Sequence, residues 1–239
     1  MTLPRLSDRF AGTREALHQL AYFVLAPARH SETGRMGLRA APGGFATPEF
    51  DGKVARVDLG TLVVEEADRV ASRSISTLGD AAEFVGIHYR EDWYQGFRHP
   101  LQPLGPDETL AVDDDSARIL AAWFALGTQV LDRLGEMASG EEEPSEIQLW
   151  PENFDVSLEL GKEADGARAT YGASPGDDHH EQPYFYVAPW EPVDRSERFW
   201  NDLAFNGASL GYGAIAESPD PAGDALAFLL RGRQLLRGN

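Results

Sequence analysis

Strand-like segments in this chain come in consecutive runs, and this pattern limits the fold more than any other feature. The first run lies at residues 36–41, 53–59, 61–66 and 70–76, and the second at 147–150, 154–160, 167–171 and 184–188. Helical stretches precede and follow each run. Parallel sheets built from β-α-β units would alternate single strands with helices, so runs favour antiparallel pairing and an α+β architecture. The expectation is one or more mostly antiparallel sheets with flanking helices, in two helix-plus-strand halves.

Local signals set the boundaries. Leu17, Leu20, Ala21, Val24 and Leu25 repeat at spacings of three and four, which predicts a helix over 13–29 with Thr13 as its cap. Asp51-Gly52 is a hairpin turn signal, since both residues tolerate positive φ. Pro42-Gly43-Gly44 and Gly60 mark further breaks. The Gly-rich stretch 41–48 lacks the Gly-Lys-Ser/Thr ending of a phosphate loop and reads as a connection between strands. Thr77 caps a short helix to Val85 with Leu78, Ala81, Ala82 and Val85 inward. Residues 86–112 form a long loop whose Trp93, Tyr94 and Phe97 predict that it is packed down.

Beyond that loop, Asp113, Asp114 and Asp115 open the strongest helix, 115–137, with Ile119, Leu120, Trp123, Phe124, Val130, Leu131 and Leu134 as its buried face. Residues 139–145, with three consecutive Glu, read as an exposed loop. Val156, Leu158 and Leu160 alternate with Ser157 and Glu159, the period of a half-buried strand. Residues 195–205 read as a helix and 209–216 as an irregular strand. The closing helix, 220–236, starts on Asp220 with Pro221 in its first turn. The chain reads as one globular unit over 1–239, with halves at 1–112 and 113–239.

Charge and composition remove several function classes. The net charge of −18 opposes binding to a nucleic-acid backbone or an anionic membrane, both of which need a basic surface. Zero cysteines remove disulfides, thiolate chemistry and cysteine-ligated metal. No apolar run approaches the roughly 20 residues of a membrane span, and the N-terminus lacks the form of a signal peptide. The expectation is a soluble, cytoplasmic protein whose partner is a small molecule or another protein. Of 21 basic residues only Lys53 and Lys162 are lysine, the bias of a high-GC bacterial source.

Carboxylates, imidazoles and aromatics are densest between Trp150 and Trp190. Two readings are open there. In one, Asp178, His179, His180 and Glu181 supply ligands for a divalent metal, joined by Asp177 and by Glu152 and Asp155 from the neighbouring strand. Adjacent residues of an extended chain point to opposite faces, so His179 and His180 would not share an ion. His179 pairs with Glu181, or Asp178 with His180, and Asp155, His88 or His99 would complete the set. The protein would then be a metal-assisted enzyme, hydrolase-like or an oxidoreductase, working through the loop 177–181.

In the other reading that loop is a capped surface turn, and the function is non-catalytic binding of a small molecule or a partner. Trp150, Phe154, Tyr171, Tyr184, Tyr186 and Trp190 are then the ligand-binding candidates. Tyr184, Tyr186 and Trp190 share one strand face, with Phe185 and Val187 opposite. Ser174, in Ala-Ser-Pro-Gly, lacks the Gly-x-Ser-x-Gly elbow of a hydrolase nucleophile.

The motifs themselves carry a resemblance. Leu17-His18, Val-Leu-Ala-Pro-Ala-Arg at 24–29, Gly-Gly-Phe-x-Thr-Pro at 43–48, Trp-Pro-x-x-Phe-Asp at 150–155, Gly-Ala-Ser-Pro-Gly-Asp at 172–177 and Pro-Tyr-x-Tyr-Val ending in Pro-Trp at 183–190 resemble uncharacterised, chiefly actinobacterial proteins. The chain is more distantly similar to a family of domains of unknown function with a Phe-Asp strand and a Pro-rich aromatic C-terminal motif. The resemblance spans most of the chain and implies one folding unit. It brings no activity and no site residue with it.

Overall fold

The computed structural model describes residues 3–94, 96–97 and 100–238. The architecture is α+β, with two five-stranded antiparallel sheets in which every strand neighbours the next in sequence. Contacts divide the chain into two compact units, one of Leu6–Ala122 with Leu149–Phe154, the other of Trp123–Gln148 and Asp155 onward with the N-terminal residues up to Arg5. Among the described residues no helix is long and apolar enough to cross a membrane.

The first unit opens on α1 (Phe10–Leu20), a π-helical turn (Ala21–Leu25) and α2 (Ala26–Thr33). Leu17, Leu20, Ala21, Val24 and Leu25 are buried, as their spacing predicts. The helix starts three residues earlier than Thr13, whose hydroxyl accepts the Asp113 amide at 3.1 Å and caps nothing. It also runs through Pro27 and past the expected end, to Thr33. A proline cannot donate to the carbonyl four residues back and clashes with it, and the widened turn just before it absorbs both problems.

Sheet one follows as β1 (Arg39–Ala41), β2 (Gly44–Ala46), β3 (Lys53–Asp58), β4 (Thr61–Glu66) and β5 (Arg69–Ser74). The connection expected over 41–48 in fact contains β2, three buried residues folded back on β1 through the Pro42-Gly43 turn. Asp51 and Gly52 both take positive φ, 48° and 68°, and close a hairpin on the Phe50–Lys53 bridge. The strand expected over 36–41 is only its last three residues. α3 (Leu78–Val85) starts where predicted, with the Thr77 hydroxyl accepting the Asp80 amide at 3.1 Å. The loop after it is packed as expected: Tyr22 lies against Phe97 at 5.0 Å and edge-on to Trp93 at 6.0 Å.

α4 (Asp114–Glu136) begins on Asp113, whose carboxylate accepts the Ser116 amide at 3.0 Å. All seven apolar positions predicted for its inner face are buried. In the second unit its later turns lie on sheet two, made of β7 (Asp155–Leu160), β8 (Ala169–Ser174), β9 (Tyr184–Pro189) and β10 (Ala208–Gly211), with β6 (Gln148–Trp150), of which only Gln148 belongs to this unit, as its last strand. Gly127 sets that approach, since a Cβ there would fall 2.7 Å from both Val156 and Ala173. Trp123 packs on Phe185 at 5.0 Å. α5 (Tyr212–Ala216) and α6 (Pro221–Leu236) complete the unit, with Asp220 accepting the Gly223 amide at 3.1 Å.

Two expectations in this unit fail. Residues 195–205 are irregular rather than helical, because the Arg195 guanidinium takes the carbonyls of Trp200, Asp202 and Phe205 and winds the chain around itself. Asp194 and Asp202 add side-chain bonds to nearby amides, the local competition that keeps such residues out of helices. The strand expected over 209–216 ends at Gly211, after which the chain turns into α5. The exposed loop expected over 139–145 hides an ion pair: Glu142 and Arg233 are both buried and joined by two bonds of 2.6 and 2.7 Å.

Candidate functional site

Antiparallel register sorts sheet two into unlike faces. Val156, Leu158, Tyr171, Ala173, Phe185 and Val187 form its apolar side and are all buried. The opposite side carries Asp155 and Ser157 from β7, Gly172 and Ser174 from β8, Tyr184 and Tyr186 from β9, and Ser209 from β10. Ser157, Gly172, Tyr186 and Ser209 form one row across four strands. Gly172 leaves room for the Tyr186 ring, which a Cβ would meet at 2.5 Å.

Each phenol on this face donates to a carboxylate. Tyr184 gives its hydroxyl to Asp177 Oδ2 at 2.6 Å, and Tyr186 gives its hydroxyl to Asp155 Oδ2. The two rings lie 6.0 Å apart. Burial pushes both phenols well above an ordinary tyrosine, and the Asp177 and Asp155 charges add to that. They remain neutral donors throughout the physiological range.

The loop after β8 folds tightly about Asp177. Its Oδ1 accepts the amides of His179 and His180 at 2.7 and 2.8 Å, while its own amide donates to the His180 carbonyl. This places the His180 ring over Tyr184, with centroids 4.2 Å apart, and its Nε2 2.8 Å from Asp202 Oδ2. Burial alone would raise the Asp177 carboxyl. The bonds from Tyr184, His179 and His180 outweigh it and hold the group below the usual carboxylate value. Asp202 behaves alike: burial pushes up, while Ser209, the Ala204 amide and His180 pull it down further.

Ionised Asp202 can only accept, so Nε2 of His180 carries a proton. Nδ1 is buried 3.4 Å from Asp177 Oδ1 without a hydrogen bond. Phe205 closes on Tyr186 edge-on at 6.0 Å. The assembly thus holds two phenols, one imidazole and three carboxylates, drawn from β7, the 175–183 loop, β9 and the 195–207 loop.

The structure separates the sequence candidates. Tyr184, Tyr186, Asp155, Asp177 and His180 come together. Tyr171 lies on the other face of the same sheet, fully buried. Trp190, past the end of β9, is 48% exposed with the Arg168 guanidinium 5.1 Å from its ring. Asp178, His179 and Glu181 are exposed at the loop tip. Among the described residues no three His, Asp or Glu side chains converge as a metal ion requires. His99 lies outside the described residues, and His88 is exposed in the first unit.

Trp150 and Phe154 also belong to the first unit. Phe154 stacks on His18 at 5.0 Å and meets Phe45 edge-on at 5.3 Å, and His18 Nε2 lies 2.9 Å from the Pro151 carbonyl. Three motif segments far apart in sequence therefore meet at the Phe154 ring. Burial lowers the basicity of the His18 ring against the opposing pull of the Pro151 carbonyl and Glu15. In the sequence His18 stands out only as part of the Leu17-His18 motif, and nothing marks Asp202 or Phe205. Their partners are set by sheet register and loop winding, and no local pattern announces either. No family model, curated protein or solved structure matches the chain.

Proposed function

We propose that this chain is a non-catalytic binding protein whose small-molecule site is the polar face of sheet two, around Tyr184, Tyr186 and His180. One observation carries the reading. Hydrogen-bonding groups from four separate segments converge on a sheet face whose opposite side already supplies the core. Burying carboxylates costs free energy that a structural role alone would meet more cheaply with apolar residues.

The chemistry of the groups favours binding over turnover. Both phenols are held as neutral donors. His180 Nε2 is occupied by Asp202, and the Ser174 hydroxyl accepts the Gly176 amide at 3.2 Å. Such a face suits a polar ligand that can trade these internal bonds for its own. A net charge of −18 supports a small molecule or protein over a nucleic acid as the partner, and the cysteine-free composition supports the cytoplasm as the compartment. The motif resemblance supports placing the chain among the actinobacterial proteins that share it.

The test is a thermal-shift screen of polar metabolites, followed by tyrosine-ring NMR on the hits. A ligand of this site raises Tm in the parent and shifts the Tyr184 and Tyr186 ring signals, and Tyr184→Phe removes most of the gain. Hits that stabilise Tyr184→Phe as well as the parent, or that leave both ring signals unmoved, refute the assignment.

A further inference from the structure

We infer that β5 is an open docking edge for an extended, acidic strand of a partner protein. The inference concerns the first unit and is independent of the ligand site on sheet two.

The sheet edges are finished in different ways. β1 and β6 are three residues long, and Leu38, just before β1, bridges Leu149 of β6 through bonds of 2.8 and 2.9 Å. β10 is covered by its own chain. The Asn201 side chain accepts the Ser209 amide at 2.9 Å and donates to the Ser209 carbonyl at 3.1 Å, filling the place of a further strand. β5 holds the same position in sheet one, last in a five-strand meander, and among the described residues no side chain covers its outer edge in this way. All six of its residues are exposed, and Val70 is 70% exposed.

β5 is also regular. It pairs with β4 residue for residue from Thr61–Ser74 to Glu66–Arg69, without a bulge and without proline. Those are devices by which edges are usually blunted. The two-residue turn at Ala67-Asp68 makes Glu66 and Arg69 a mutually bonded pair, so odd-numbered residues of β5 bond inward. Ile75, which donates to the Gly60 carbonyl at 2.9 Å, keeps that phase. The amides and carbonyls of Val70, Ser72 and Ser74 therefore point outward, a ready ladder for an added strand.

Charge identifies the occupant. Arg69 and Arg73 stand on one face of β5 in a chain of net charge −18, and the strand contains no acid. Pairing β5 with its own copy about Ala71 would set Arg69 against Arg73 of the other copy twice, and like charges directly opposite are destabilising. An acidic strand would meet both arginines on one face and lay an apolar residue on Val70 on the other.

The experiment uses the full chain and an acetylated, amidated peptide alternating Glu with Val and Thr, with a Lys-for-Glu version as control. Backbone NMR is expected to show the acidic peptide shifting the amides of Val70, Ser72 and Ser74 and slowing their exchange with solvent. Arg69→Glu with Arg73→Glu should weaken it about tenfold, the effect of two reversed cross-strand charge pairs, and admit the Lys peptide instead. Ser72→Pro should abolish binding by deleting an outward amide. If that variant does not fold, the charge-reversed pair decides alone. No change at β5 with millimolar acidic peptide, equal binding of both peptides, or a peptide-free dimer protecting the same amides would each overturn the proposal.

Discussion

Removing one charge from the Glu142–Arg233 pair tests how much of the second unit's stability hangs on a single buried contact. Both side chains are about 10% exposed, and the guanidinium holds both carboxylate oxygens, with the Ser139 amide adding a bond of 2.9 Å. The Arg233 bonds, opposed by burial and helped by Ser139, bring the Glu142 carboxyl from an ordinary 4.5 down to about 2. At about 1.4 kcal/mol per pH unit, that difference corresponds to about 3 kcal/mol of folding free energy for the ionised group.

The sign follows from proton binding. Between pH 4.5 and about 2 the unfolded chain binds this proton and the folded chain does not. The stabilisation is therefore complete above pH 4.5 and disappears as pH falls through about 2. Glu142→Gln keeps the shape and removes the charge, leaving Arg233 buried without its counter-ion, so a loss of about 3 kcal/mol or more is expected at neutral pH. Urea unfolding of both proteins, followed by far-UV circular dichroism across this pH range, isolates the pair, because the remaining carboxylates are common to both. The gap should be constant from pH 7 to 5 and shrink below. A gap under about 1 kcal/mol at pH 7 would match an exposed pair, and that result or a gap that does not shrink in acid would refute the reasoning.

The packing of α4 and the state of His18 give two further predictions. Gly127→Ala gains about 1 kcal/mol in helix propensity but places a Cβ 2.7 Å from Val156 and Ala173, and such overpacking costs about 1–3 kcal/mol, so net destabilisation is expected in thermal unfolding; an unchanged or higher Tm would mean the helix can lift without penalty. The His18 imidazole should titrate below its ordinary 6.5 by NMR, since burial favours the neutral ring. Its contribution is then complete above 6.5 and erodes as pH falls, so His18→Gln should flatten the acid side of the stability profile; a midpoint at or above 6.5 would contradict that.

Local chemistry announced what local chemistry decides. The Thr77 cap, the Asp220-Pro221 start and the Asp51-Gly52 turn each rest on residues within four positions of one another, and all three are found. β2 was hidden because three residues in a Gly-rich stretch have no period to detect. The loop 195–207 was misread because its shape comes from one guanidinium reaching carbonyls up to ten residues away. At the site, the shared face of Tyr184 and Tyr186 was legible from strand alternation. The bonds of Tyr186 to Asp155, 31 residues away, and of His180 to Asp202, 22 residues away, were not. Register across β7, β8 and β9 creates the first, and no spacing in the sequence encodes it.

The widened turn at Ala21–Leu25 ties together two residues that never touch. An α-helix advances about 100° per residue, so the extra residue held in this turn sets the rotational phase of everything before it. In that phase His18 faces the Pro151 carbonyl and Phe154. Pro27 is what keeps the turn from relaxing into regular α-helix. The direction in which one imidazole points is thus fixed nine residues downstream, by a ring with no hydrogen bond to give.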